Sequence, residues 1–251
     1  KLAIMQWCTD FAQQNNIKAM TIRGFEDLSL PGWKTLTNKV TMILTLPESA
    51  DVLGKAIGSK RRSQIRRPQK EGATAKIGGT ALLEDFYTVF AQNMRDLGTP
   101  VYAKSWFEKL ASGLGERCKI AIVYLQGKPV AAGFLVQHGD TIEIPWASSV
   151  RWANKYSVNM LLYWQVLEYS IESGAKYFDF GRCDKDSNTY RFKKQWGAEE
   201  KQLYWLQYEK NDSQNQLNPK NDKFSAMIKM WQKLPLAIAN LIGPFIVKNI
   251  P

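Results

Sequence analysis

The chain has 251 residues, 45% of them hydrophobic, and a formal net charge of +11 from 34 Lys and Arg against 23 Asp and Glu. It can bury a large core in one big domain or two modest ones, its composition excludes low-complexity and disordered classes, and its charge favours anionic partners such as RNA, nucleotide phosphates or an acidic membrane. Cys8, Cys118 and Cys183 lie far apart without C-x-x-C spacing and His138 is the single histidine, so reduced cytoplasmic thiols are expected, and disulfide frameworks, zinc sites and His-dependent hydrolases are poorly supplied.

From Lys1 the sequence reads as a helix already under way, with no signal peptide or transmembrane segment, so the chain is expected to be cut from something longer. Leu2 to Gly24 reads as an amphipathic helix, a polar stop and a strand ending in glycine; Lys39 to Leu46 reads as a further strand. The spacing predicts a helix from about Pro47 to Ile65, ended by Pro68, which biases Arg67 out of the α region. A strand (Ala73 to Ile77) and two helices (Leu82 to Leu97, Ala103 to Leu114) follow. Cys118 to Leu125 and Val130 to Gln137 are apolar runs split by Gln126-Gly127-Lys128-Pro129, a hairpin signal. The turn His138-Gly139-Asp140, in which His138 is read as structural, leads to a third strand, Thr141 to Ala147. Asn154 to Ser157 opens a helix reaching Glu172, with Ser173-Gly174 as its stop. Lys176 to Phe180 is a strand, Ser187 to Gln195 a short helix, and Lys201 to Tyr208 a last strand.

From Ala73 the order is therefore β-α-α-β-β-β-α-β-α-β. It resembles the Gcn5-related acyltransferase (GNAT) fold, an α/β (α+β) architecture whose mixed central sheet splays near its fourth strand to admit an acyl donor. Leu2 to Gly24 repeats the layout of Leu161 to Gly181, which implies two similar domains with only the last third of the first present; the alternative is that any two helix-strand pairs look alike. The expected organisation is residues 1–46 as the C-terminal part of a first GNAT-like domain and 47–72 as a basic linker helix. Residues 73–209 form the GNAT-like acyltransferase domain, and 210–251 a C-terminal helix and apolar tail.

The basic run Arg61 to Gly72, Phe178-Asp179-Phe180-Gly181 and Tyr190-Arg191-Phe192-Lys193-Lys194-Gln195-Trp196-Gly197-Ala198 make the chain resemble the FemAB group of aminoacyl-transferring ligases. The run Asn93 to Tyr102, Pro145-Trp146-Ala147-Ser148, Asn159 to Trp164, Asn218-Pro219, Trp231 to Pro235 and Gly243-Pro244 bring it closest to the branch found beside exosortase and exopolysaccharide loci. The resemblance covers the chain from about Thr41 onward and departs at Cys183, where a serine is expected. It implies transfer of an aminoacyl group from aminoacyl-tRNA to an amine of a peptidoglycan or exopolysaccharide precursor, nucleotide- or lipid-linked. It also implies that Phe192 and Lys193 match the family's Phe-Lys pair, whose lysine supports the RNA end of the donor and the charge formed during transfer. Tyr190, Trp146 and Asn159 join the substrate-binding set on the same basis.

Aminolysis of an activated ester needs an unprotonated amine, alignment with the carbonyl, and help for the charge on the tetrahedral oxygen. Alignment contributes about 7–11 kcal/mol in good cases, and a donor aimed at the developing charge about 2.7–4 kcal/mol. Lys193 is the first choice for that donor; otherwise Lys193 and Lys194 solvate a helix. Phe192 either stacks a terminal adenine or belongs to the core, and Trp196 reads as core. Arg182 and Arg191 either fork a phosphate or carboxylate, or pair with Asp184 or Asp186. Arg62 and Arg66, one turn apart, suit a phosphate backbone, or belong to a solvated face. Glu143 and Asp179 are candidates for taking the amine proton, and alternation puts Asp179 on the face opposite Phe178 and Phe180.

Where acetyl-coenzyme A enzymes of this fold cradle pyrophosphate on glycines, Val150 to Asn159 has none, so a coenzyme A thioester is the alternative donor, for an envelope sugar or amino acid. A non-catalytic RNA- or glycan-binding protein is the remaining alternative. Leu234 to Ile250 is too short and broken to span a bilayer; it is expected to pack on the first domain, the alternative being contact with the inner face of the membrane, as a peripheral partner of a cytoplasmic protein.

Overall fold

The computed structural model describes residues 2–28, 31–209 and 222–248, so the Asn218-Pro219 motif lies outside the described residues. The chain opens with α1 (Leu2–Gln14), β1 (Ala19–Gly24), β2 (Trp33–Leu36) and β3 (Lys39–Thr45), then α2 (Ala50–Ala56) and α3 (Gly58–Lys70). Next come β4 (Thr74–Gly78), α4 (Leu83–Leu97), α5 (Lys104–Leu114), β5 (Cys118–Leu125), β6 (Lys128–His138) and β7 (Thr141–Ser149). The remainder is α6 (Val158–Glu172), β8 (Tyr177–Asp184), α7 (Asn188–Lys194), β9 (Glu199–Gln202), β10 (Tyr204–Glu209), α8 (Asp222–Trp231) and α9 (Leu236–Val247). From β4 onward this is the expected GNAT order, a mixed α/β fold, with its last strand in two pieces.

Two units make up the chain: Lys1–Ile43 with Gly181–Asn218, and Leu44–Phe180 with Pro219–Pro251. In the second, β4, β5, β6 and β7 are successive antiparallel neighbours and β8 joins β7 in parallel. Gln126 (φ 54) and Gly127 (φ 71) are both left-handed, the backbone a two-residue hairpin needs to match the strand twist. Pro129 sits opposite Tyr124 where the register shifts, a place that tolerates its missing N–H. The β7–β8 ladder runs Thr141↔Tyr177, Ile142↔Phe178, Glu143↔Asp179, while β7 continues to Ser149. Among the described residues the two strands thus part after Glu143, which is the expected splay.

This unit's core is aromatic. Leu83, Phe86, Val89 and Phe90 recur at helical spacing on the buried face of α4, and Phe107 meets Phe86 and Phe90 edge to face at 5.0 and 5.1 Å. Each such ring contributes about 1.5–3 kcal/mol by burial and about 0.5–1.5 kcal/mol by ring geometry. Pro68 does not end the basic helix, which runs on to Lys70. The proline is itself buried, and its carbonyl accepts from Glu71 and Ala73 N–H, so its apolar burial and these bonds offset the one helical bond its ring removes.

In the first unit β10 lies between β1 and β2, antiparallel to both, and β3 pairs antiparallel with β9. Met5, Ala12, Trp33, Leu206 and Tyr208 form its core, with Trp33 Nε1–H donating to Thr9 Oγ1 at 2.8 Å. The single strand expected over Lys201 to Tyr208 breaks at Leu203, whose N–H donates to Lys39 O at 3.1 Å and where the Gln202 side-chain amide reaches the carbonyls of Thr37, Lys39 and Leu203 at 2.7–3.0 Å.

Candidate active site

Strand β8 buries Phe178 and Phe180, with Asp179 on the other face as alternation requires. Tyr163 stacks on Phe180 with centroids 5.6 Å apart, and burial pushes its hydroxyl pKa up. At Gly181 the backbone turns left-handed, φ 76, a conformation that costs a side-chain-bearing residue energy. The strand nevertheless runs on to Asp184 and does not stop at Phe180 as expected; Ser187 then caps α7, its Oγ accepting from Tyr190 N–H at 3.1 Å, and the helix carries Lys193 back towards the second half of β8. Lys193 is 4% exposed; its Nζ donates to Gly181 O at 2.8 Å and Arg182 O at 3.0 Å. A buried ammonium held by carbonyls is costly to place and hard to move.

The next residue, Cys183, lines a depression of about 300 Å³ together with Lys39, Arg182, Asp184, Ser187, Thr189 and Trp205. Burial pushes the Cys183 thiol up and the Lys193 charge pulls it down, so the field of Lys193 reaches this wall. Arg182 pairs with neither aspartate expected for it. Its guanidinium lies 5.6 Å from the Trp205 ring centroid, while Asp184 pairs with Lys39 at 2.6 Å. Arg23 covers the same ring at 4.3 Å, and its pKa is lowered by burial first and by the Arg182 charge second. Among the described residues neither guanidinium has a carboxylate within 4.0 Å. Two mutually repelling guanidiniums over one indole make a place where a phosphate is favoured.

Arg23, Lys39 and Trp205 were not foreseen. Arg23 and Trp205 are cross-strand partners on β1 and β10, brought together only by that pairing, and no local motif announces it. Tyr190 is buried and donates to Glu200 Oε2 at 2.6 Å; Glu200, also bonded by Lys185 at 2.8 Å, has its pKa lowered by Lys185 first and Tyr190 second. Phe192 is half-buried, edge-on to the buried Trp196 at 6.4 Å, so Trp196 is core and Phe192 leans on it. Arg191 is exposed on α7.

In the second unit, Glu143 and Asp179 are register partners on the last rung before β7 and β8 part. Trp146, on the diverging part of β7, is half-buried and meets Trp106, Phe107 and Phe134 edge to face at 5.2–5.6 Å. Asn159 lies half-buried in the first turn of α6. Arg62 and Arg66 share a second depression of about 320 Å³ with Lys55, Gln69 and Trp164. Arg62 Nη1 donates to Gly54 O at 2.7 Å, tying α3 to α2, and Arg66 is exposed.

The family description that matches the chain is the acetyltransferase (GNAT) domain, over residues 59–194. No curated protein matches. Among solved structures, FemX is 16% identical with a TM-score of 0.60, covering 82% of this chain and 76% of that one. The C-terminal domain of a putative lysylphosphatidylglycerol synthetase from Agrobacterium fabrum is 13% identical with a TM-score of 0.56, covering 70% of this chain and 62% of that one, under two thirds of its length. A GCN5-related N-acetyltransferase from Sphaerobacter thermophilus is 14% identical with a TM-score of 0.56, covering 83% and 67%. At these identities the likeness is one of fold, and at that level the FemAB resemblance holds.

Proposed function

We propose, from the premise that the chain belongs to the acetyltransferase (GNAT) domain family and is an acyltransferase, that it moves an aminoacyl group from aminoacyl-tRNA to an amine of a cell-envelope precursor. The reaction is aminolysis: the amine nitrogen bonds to the ester carbonyl carbon, the oxygen takes up negative charge, and collapse breaks the bond to the ribose oxygen, which leaves with the proton the amine loses. The single observation that carries this reading is Lys193, buried and fixed by the Gly181 and Arg182 carbonyls beside a wall of the cationic depression. A charge held in place before reaction needs no reorganisation when the oxyanion forms. Arg182 and Arg23 over Trp205 suit a donor phosphate and its neighbouring base, with Phe192, Arg191 and Tyr190 on the adjoining helix.

Glu143 and Asp179, register partners on the last rung before β7 and β8 part, are the candidates for taking the amine proton. Arg62 and Arg66 suit the RNA backbone. A neighbour named as a lysylphosphatidylglycerol synthetase fits an aminoacyl group moved onto an envelope component. One observation favours a coenzyme A thioester instead: the matching family is described as an acetyltransferase. Mass spectrometry of envelope precursors from cells with the gene, without it, and with Lys193→Met decides. An aminoacyl increment lost in both altered strains is expected; an acetyl or other simple acyl increment assigns the donor to coenzyme A, and no increment overturns the reading.

A further inference from the structure

Helix α9 presents its two faces in the reverse of the usual order for a helix in water. Ala239 and Gly243, one turn apart, are its buried residues. A Cβ added to Gly243 would lie 2.9 Å from Val101 N and 3.1 Å from Val101 O, so this side is closed against backbone and admits only the smallest residues. The large side chains face out: Ile238 is 45% exposed, Leu241 70%, Ile242 36%, Phe245 65% and Ile246 40%. Their spacing, i, i+3, i+4, i+7, i+8, makes one continuous apolar stripe. Met227 and Met230 of α8 are also exposed.

Charge says what covers the stripe. From residue 223 to the end the sequence contains Lys223, Lys229, Lys233 and Lys248 and no Asp or Glu, and Lys229, Lys233 and Lys248 are exposed. A second copy would bring the same lysines against these, whereas anionic lipid headgroups complement them. No helix of the described residues is long and apolar enough to cross a membrane, so the stripe fits the headgroup–acyl boundary. We propose that α9 and the end of α8 form an interfacial anchor that seats Ile238, Leu241, Ile242, Phe245 and Ile246 in the surface of an anionic bilayer. The anchor is independent of the acyl-transfer reading, since vesicle binding needs neither donor nor acceptor.

The test is co-sedimentation of the 251-residue chain with vesicles of phosphatidylcholine alone or containing phosphatidylglycerol. The chain is expected to pellet with the anionic vesicles. Leu241→Ser with Phe245→Ser should lower the partition coefficient at least about tenfold, with an unchanged urea midpoint because both side chains already face water. Lys229→Gln, Lys233→Gln and Lys248→Gln together should reduce anionic binding to the neutral-vesicle level, which gives a readout even where the serine variant unfolds. Absence of binding to anionic vesicles, equal binding by wild type and a folded serine variant, or light scattering that shows a dimer dissolved by the serine changes would each overturn the proposal.

Discussion

Replacing Lys193 by Met removes an ammonium and keeps much of the side-chain volume. Two bonds are lost, at 2.8 and 3.0 Å to Gly181 O and Arg182 O, each of a kind that contributes about 1.5–3 kcal/mol when the donor is charged. Relief from holding a charge at 4% exposure offsets part of that, leaving a net loss of about 3 kcal/mol. Urea unfolding reads it as a lower midpoint at unchanged slope. The same substitution acts on Cys183, whose thiol is raised by burial and lowered by the Lys193 charge. Without the ammonium the largest downward influence is gone and only the weaker pull of Lys39 opposes burial and the acids, so the pH profile of Cys183 alkylation, followed in a Cys8→Ser background, should move to higher pH. Lys193→Arg restores the charge and should bring the profile back towards wild type. A stability within about 0.5 kcal/mol of wild type together with an unmoved alkylation profile would refute the view that this ammonium pins the Gly181–Arg182 part of β8 and polarises the depression.

Gly243→Ala places a Cβ 2.9 Å from Val101 N, and since backbone cannot step aside the overpacking should cost about 1–3 kcal/mol, seen in urea unfolding and as faster proteolysis between α8 and α9. Burial pushes the Cys118 thiol up from 9.0 to about 11. A raised folded value means its contribution is complete below pH 9.0 and is lost as pH climbs through about 11, so Cys118→Ala should flatten that alkaline limb of the stability curve by about 2 kcal/mol. Arg66→Ala should weaken tRNA binding and lower the slope of log affinity against log salt by about 0.7–0.9 for the phosphate contact removed, measured by filter binding; an unchanged slope removes α3 from the RNA path.

Periodicity and turn chemistry make most of the fold legible in the sequence: the order of elements from β4 to α7, the hairpin at Gln126-Gly127 and the helix carrying Lys193 are all local signals, set by φ preferences and by which residues repeat every two or 3.6 positions, whereas the strand expected to end at Phe180 runs through the left-handed Gly181 to Asp184. Pro68 misled because a helix end depends on what the proline packs against as well as on its ring, and Lys201 to Tyr208 misled because the strand breaks where the Gln202 amide finds three acceptors, two of them more than 160 residues away. The same limit applies to the site. Lys193, Phe192 and Arg182 sit in one short run that a reader can find, whereas Arg23 and Trp205 meet only through the β1–β10 ladder, and the outward turn of Leu241 and Phe245 is fixed by the closeness of Gly243 to the Val101 backbone. Sequence determines which residues are cationic, aromatic or apolar and how each segment is inclined to fold; which of them share a wall, and which face of a helix is left to the surroundings, is decided by contacts between residues far apart in the chain, to which local propensity is blind.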